Sequence, residues 1–119
     1  MRPMPVTAKI CGLSTPEAVR AAVEGGASHM GFMFFGNSPR NIAPDAAARL
    51  VEPYRSRNVK ICAVTVDPDD ALLDRLAVIL KPDIIQLHGK ETPSRARQVA
   101  MRAGAGVIKV LSEIGRAHV

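Results

Sequence analysis

The chain has 119 residues, room for one domain and not for two. Hydrophobic residues make up 47% and charged residues 23%, an ordinary globular balance, and the 3% of aromatics (Phe32, Phe34, Phe35, Tyr54) excludes an aromatic platform for stacking single-stranded bases. The 16 basic residues exceed the 11 acidic ones by five, but arginines such as Arg20, Arg49, Arg75, Arg97 and Arg102 form no run, so the excess reads as solvated helix faces and not as a nucleic-acid patch.

One unit repeats along the chain: a nearly continuous apolar run, a turn, then an amphipathic helix pattern. The runs are Thr7–Cys11, His29–Phe35, Lys60–Val66, Asp83–Leu87 and Val107–Leu111. Continuous rather than alternating apolar character marks strands buried on both faces, as in parallel sheets. Ala18, Val19, Ala22 and Val23 make the apolar face of the first helix. A shorter helix is predicted over about Pro44–Glu52. Leu72, Leu73, Leu76, Ala77 and Leu80 mark the third, and Ala96, Val99, Ala100 and Ala103 the fourth. Thr15-Pro16, Asp67-Pro68 and Thr92-Pro93 each place a capping oxygen before a proline suited to a first helical position, with Ser14 and Glu17 as an alternative capping box. Gly25-Gly26 and Gly104 suit helix ends that need a left-handed residue. The element order is β-α-β-α-β-α-β-α-β. Two α/β architectures fit it: a complete five-stranded doubly wound sheet of flavodoxin type, or rather more than half of an eight-stranded barrel. Length alone favours the first.

In both architectures, function gathers beyond the carboxyl ends of the strands. Those ends carry Cys11-Gly12, the loop Gly36-Asn37-Ser38-Pro39-Arg40, Asp67, and His88-Gly89. A thiol, a guanidinium, a carboxylate and an imidazole thus fall on one rim, while the opposite rim holds only His29, Lys60 and Asp83. Cys11 reads as a base or nucleophile, or else as a small buried hydrophobe. Arg40 reads as a bidentate clamp for a carboxylate or phosphate, or as an exposed loop residue. His88 is a donor or acid toward substrate, or the cap of a strand end. Asp67 is first of all a helix cap. Lys9 points to the same strand face as Cys11 and reads as a cation that favours the thiolate, or as a structural residue. Cys62 lies inside the third strand and reads as core. Cys11 and Cys62 fit neither a zinc pattern nor a disulfide framework. No Walker loop is present and no G-x-G-x-x-G follows the first strand. No apolar run approaches the ~20 residues of a membrane span, and Met1–Lys9 has no apolar signal-peptide stretch, so a cytoplasmic location is expected.

Lys9-Ile10-Cys11-Gly12-Leu13, Gly31-Phe32-Met33-Phe34-Phe35, Ser38-Pro39-Arg40 and Gln86-Leu87-His88-Gly89, in this order and spacing, resemble the phosphoribosylanthranilate isomerases of tryptophan biosynthesis. The resemblance runs from about Val6 to Leu111. It implies a TIM (β/α)8 barrel of which this chain holds about five strands, as the N-terminal portion of one domain over residues 6–111. It implies an Amadori rearrangement of N-(5-phosphoribosyl)anthranilate to 1-(2-carboxyphenylamino)-1-deoxyribulose 5-phosphate, with no cofactor and no metal. Cys11 would be the general base, Arg40 would grip the anthranilate carboxylate, and His88 would line the pocket, with Lys9 and Asp67 as lesser substrate contacts. The family's general acid ends a sixth strand, and its phosphate site follows the seventh and eighth. The chain by itself is therefore expected to be inactive. Gly36-Asn37 stands where the family often has Pro-Lys, so one loop cation is missing. The expected partner is the small-molecule substrate, with no nucleic acid and no membrane. The whole protein is expected to be a monomer, with a dimer or a fusion to a neighbouring pathway enzyme as alternatives. The competing readings are another phosphosugar barrel enzyme and a non-enzymatic flavodoxin-like module. Residues 112–119 fit no family pattern, and Glu113–Val119 matches the translation of a common sequencing adapter, so this tail is expected to be non-native.

Overall fold

The computed structural model describes residues 8–111. The expectations for Val6, Thr7 and the 112–119 tail lie outside the described residues. The elements are β1 (Lys9–Ile10), α1 (Pro16–Glu24), β2 (His29–Met33), α2 (Pro44–Val51) with a 3-10 turn (Glu52–Tyr54), β3 (Lys60–Thr65), α3 (Asp70–Arg75) continued by a π-helical turn (Leu76–Leu80), β4 (Ile84–Leu87), α4 (Pro93–Ala103) and β5 (Gly106–Lys109).

All five strands are parallel, and their spatial order is their chain order, β1-β2-β3-β4-β5. That order decides between the two architectures. A doubly wound sheet reverses direction once and places helices on both faces. Here every crossover advances by one strand in the same direction, so the helices collect on one face, as on the outside of a barrel. The flavodoxin-like reading is overturned, and the fold is a partial TIM barrel.

Register separates the two faces. Phe32, Ala63, Ile85 and Val107 lie side by side, so their side chains share a face. Phe32, Ala63 and Ile85 are fully buried there against Val19, Leu73, Leu76, Leu80 and Val99 of the helices. Burying each large side chain contributes roughly 1.5–3 kcal/mol, which makes this layer the main source of stability. The other face carries Gly31, Cys62, Ile84 and Gly106 in one row and Met33, Val64, Gln86 and Ile108 in the next. It corresponds to the interior of a barrel. Cys62, Val64 and Gln86 are buried on it, whereas Ile108 on β5 is exposed.

The helix starts follow local chemistry, with two corrections. Thr15 accepts from the Ala18 amide at 3.1 Å and Thr92 from the Arg95 amide at 3.0 Å, each ahead of a proline. Thr15 therefore caps α1, in place of a box made by Ser14 and Glu17. Asp67 caps nothing: the cap of α3 is Asp69, which accepts from the Leu72 amide at 2.8 Å. Asp69 prevails because the helical face that buries Leu73 and Leu76 begins only at Asp70. Asp67 is left at φ 43°, in the turn that leaves β3. The π-helical turn ends with Lys81 at φ 55°, whose amide donates to Leu76 O at 2.8 Å. Gly104 closes α4 in the left-handed conformation at φ 63°, as its glycine predicts.

Candidate functional site

The residues singled out from the sequence gather on the carboxyl-end rim in two groups. The first lies where β1 and β2 end. Cys11 follows directly on β1 and is half-buried. Its approach to β2 depends on Gly31, because a Cβ there would lie 2.8 Å from Cys11 Sγ and 3.2 Å from Cys11 Cα. The next residue, Gly12, has φ 79°, and a Cβ on it would come within 2.7 Å of Arg40 Cδ and 3.0 Å of an Arg40 guanidinium nitrogen. Two glycines thus bring the thiol against the strand and the arginine over the peptide beside it. The β2–α2 loop delivers the arginine by folding on Ser38, whose Oγ accepts from the Arg40 amide at 3.1 Å and whose carbonyl accepts from the Asn41 amide at 3.1 Å.

The second group lies at the ends of β3, β4 and β5. His88 stands on the end of β4, held by its amide to Thr65 O at 2.9 Å. Its Nε2 lies 3.0 Å from Gln86 Oε1 and donates to it when that nitrogen carries the proton. Partial burial, and then the charges of Lys9 and Lys109, hold the imidazole below its ordinary value of 6.5 against the opposing pull of Glu91. The ring is therefore mostly neutral at neutral pH, able to donate one hydrogen bond without carrying charge. Lys9 also acts on Cys62, where burial dominates and pushes the thiol up to about 11 despite that lysine. Cys62 stays protonated in the core, as its mid-strand position predicts, and Lys9 does share a face with the thiols.

Asp67 does not join the thiol and guanidinium. Its Oδ1 accepts from the Lys90 amide at 2.9 Å, and its backbone lies so close to Gly89 that a Cβ there would sit 2.8 Å from the Asp67 amide. Its carboxylate latches one loop to the next.

Two residues of this rim escaped the sequence reading. Glu91 is a buried carboxylate, its side chain 1% exposed. It accepts from the Asp67 amide at 2.7 Å and the Gly89 amide at 3.1 Å, and it pairs with Lys109 at 2.7 Å. Burial alone would raise its pKa, but these partners together hold it below the ordinary 4.5. Lys109 also donates to the Gly89 carbonyl. The only available signal was one lysine inside the otherwise apolar run Val107–Leu111. Among the described residues no group of three or more His, Cys, Asp or Glu side chains is placed to hold a metal ion, and no helix is long and apolar enough to cross a membrane.

The family model for N-(5'phosphoribosyl)anthranilate (PRA) isomerase matches residues 8–114. The isomerase of Caulobacter vibrioides is 64% identical over 112 residues, covering 94% of this chain and 51% of that protein. That of Brucella canis is 53% identical over 109 residues, covering 92% and 49%. The crystal structure of the Thermus thermophilus isomerase superposes with a TM-score of 0.80 at 32% identity, covering 89% of this chain and 52% of that one. An isomerase crystallised with reduced 1-(o-carboxyphenylamino)-1-deoxyribulose 5-phosphate gives 0.79 at 32% identity, covering 94% and 59%. The chain spans about half the length of the curated relatives it matches. With all of its described residues inside the matched region, it belongs to the N-(5'-phosphoribosyl)anthranilate isomerase family.

Proposed function

We propose that the complete protein to which this chain contributes is a phosphoribosylanthranilate isomerase that performs an Amadori rearrangement in tryptophan biosynthesis. The observation that carries the reading is the convergence of Cys11 and Arg40 across Gly12 on the carboxyl-end rim. The substrate is an aminoaldose phosphate bearing an aromatic carboxylate. After ring opening to the protonated Schiff base, C2 is acidified by the adjacent C=N+. The Cys11 thiolate takes the C2 proton, and the electron pair of that C–H bond becomes the C1–C2 double bond of an enolamine. Tautomerisation then moves the hydroxyl proton of C2 to C1 and leaves the C2 ketone. A base of this kind contributes typically 10²–10⁴-fold, provided that it lies within hydrogen-bond reach of the proton. Arg40 holds the anthranilate carboxylate through its planar fork and so fixes C2 over the thiolate. Neutral His88 lines the pocket with its ring held by Gln86, and Lys9 adds positive charge to the same face. Asp67 acts on the substrate only through the loop that it latches.

The general acid and the phosphate-binding loops are assigned to the length of the relatives that this chain does not span. We accordingly propose negligible turnover for the 119-residue chain alone, a cytoplasmic location, and a monomer as the working assembly. The deciding test is Cys11→Ala in a family-length protein carrying these residues. A kcat lower by about a hundredfold or more, with KM little changed, is expected. A variant as fast as the parent would refute Cys11 as the base.

A further inference from the structure

Glu91 occupies an unusual position for a carboxylate, with its side chain buried at the ends of three strands and its contacts made to its own loop, to the loop after β3 and to β5. Oε2 receives two backbone amides, Asp67 from the β3–α3 loop at 2.7 Å and Gly89 from the β4–α4 loop at 3.1 Å. Oε1 meets Lys109 of β5 at 2.7 Å. Lys109 in turn binds the carbonyl of Gly89. The residue that follows His88 is therefore held from both sides, its N–H by an anion and its C=O by a cation. Gly89 has no Cβ that would force it away from Asp67, so the two loops and the end of β5 interlock. A buried charge is expensive to keep unless its hydrogen bonds are filled, and here two amides and an ammonium fill them.

We infer that Glu91, working with Lys109, is a positioning residue: it fixes the backbone from which His88 is presented to the substrate and sets the local charge that this imidazole meets. The inference rests on the isomerase reading for its consequence in catalysis. Its structural half stands without that reading. The charged groups facing His88 are Lys9 from β1, Lys109 from β5 and Glu91 from its own loop, with Asp67 beside Gly89. Removing one member of the Glu91–Lys109 pair unbalances that set in a direction that depends on which member is lost.

The experiment uses a family-length protein carrying these residues, as parent, Glu91→Gln, Lys109→Met and the double variant. Glu91→Gln keeps an acceptor for both amides and removes the charge and the acceptor that face Lys109. His88 is titrated by imidazole NMR, and kcat and KM are measured separately. Glu91→Gln is expected to lower the His88 pKa, Lys109→Met to raise it, and the double variant to return it toward the parent. A merely structural role would not produce opposite shifts. For Glu91→Gln, kcat should fall roughly tenfold, because the imidazole is displaced from its productive geometry. Folded variants in which His88 titrates as in the parent overturn the proposal, and so does an unchanged kcat in Glu91→Gln. A parent without isomerase turnover whose variants still shift His88 in opposite directions overturns the isomerase reading and supports the clamp.

Discussion

The two halves of the rim are built by different physics. Where β1 and β2 end, the packing depends on the absence of atoms: a missing Cβ on Gly31 admits the Cys11 thiol, and a missing Cβ on Gly12, next to Cys11 in the chain, admits the Arg40 side chain. Where β3, β4 and β5 end, the loops are tied by charge, through the Asp67 carboxylate, the buried Glu91 and Lys109. The first arrangement leaves its reactive groups without committed partners among the bonds described above, free to meet a substrate. The second commits Asp67, Glu91 and Lys109 to bonds within the protein and leaves His88 exposed at its edge. A site that needs both an uncommitted clamp and a fixed wall can be assembled from these two kinds of contact.

The largest effect expected is in thiol chemistry, which probes the first half against the core beneath it. With a pKa of about 11, Cys62 is thiolate in only about one molecule in a thousand at pH 8. Iodoacetamide should therefore label the half-buried Cys11 first, with Cys62 modified only on unfolding, as peptide mass mapping over time would show. Equal labelling rates in the folded protein would break the distinction between rim thiol and core thiol.

Next comes the charged half. Glu91→Ala leaves Lys109 partly buried without its anion and two amides without their acceptor, at a cost of about 3–5 kcal/mol in denaturant unfolding. The same clamp gives a pH dependence. The Glu91 pKa is depressed in the folded state, so its stabilisation is present above the ordinary value of 4.5 and is lost as pH falls through the lower folded value. Amide exchange at Asp67 and Gly89 should accelerate in that acid range, relative to intrinsic rates, while the Leu13 amide bound to Gly31 O does not.

Gly31→Ala tests the steric half. Its added methyl meets Cys11, and overpacking of this kind costs about 1–3 kcal/mol. The displaced thiol should cost more in kcat than the stability loss suggests, and salt or pH should not rescue it. The smallest effect is at α3. Asp69→Ala should cost about 1 kcal/mol as a lost cap, measured by thermal unfolding against Asp67→Ala, which removes no cap.

Much of this was legible in the chain. Five apolar runs appear as five parallel strands, with ends trimmed: Cys11, Phe34, Phe35 and Val66 fall beyond the strands, and β5 starts one residue early, at Gly106. Thr15, Thr92 and Gly104 act locally and were readable locally. Asp67 was read as the cap of α3 because a proline follows it, and only the packed structure showed that the helix begins at Asp70 with Asp69 as its cap. Glu91 gave no signal at all, since a carboxylate in a polar loop looks solvated until another loop and a strand end pack against it.

The sequence by itself determined the order of strands and helices, the face each helix buries and the rim on which the reactive side chains fall. These depend on periodicity and capping within a few residues. Only the tertiary structure decided the sequential strand order that makes a barrel wall instead of a doubly wound sheet, the convergence of Cys11 with Arg40, and the burial of Glu91 against Lys109. Each of those depends on contacts between segments far apart in the chain, where free energy comes from excluded water, filled hydrogen bonds and matched charge, and not from local preference.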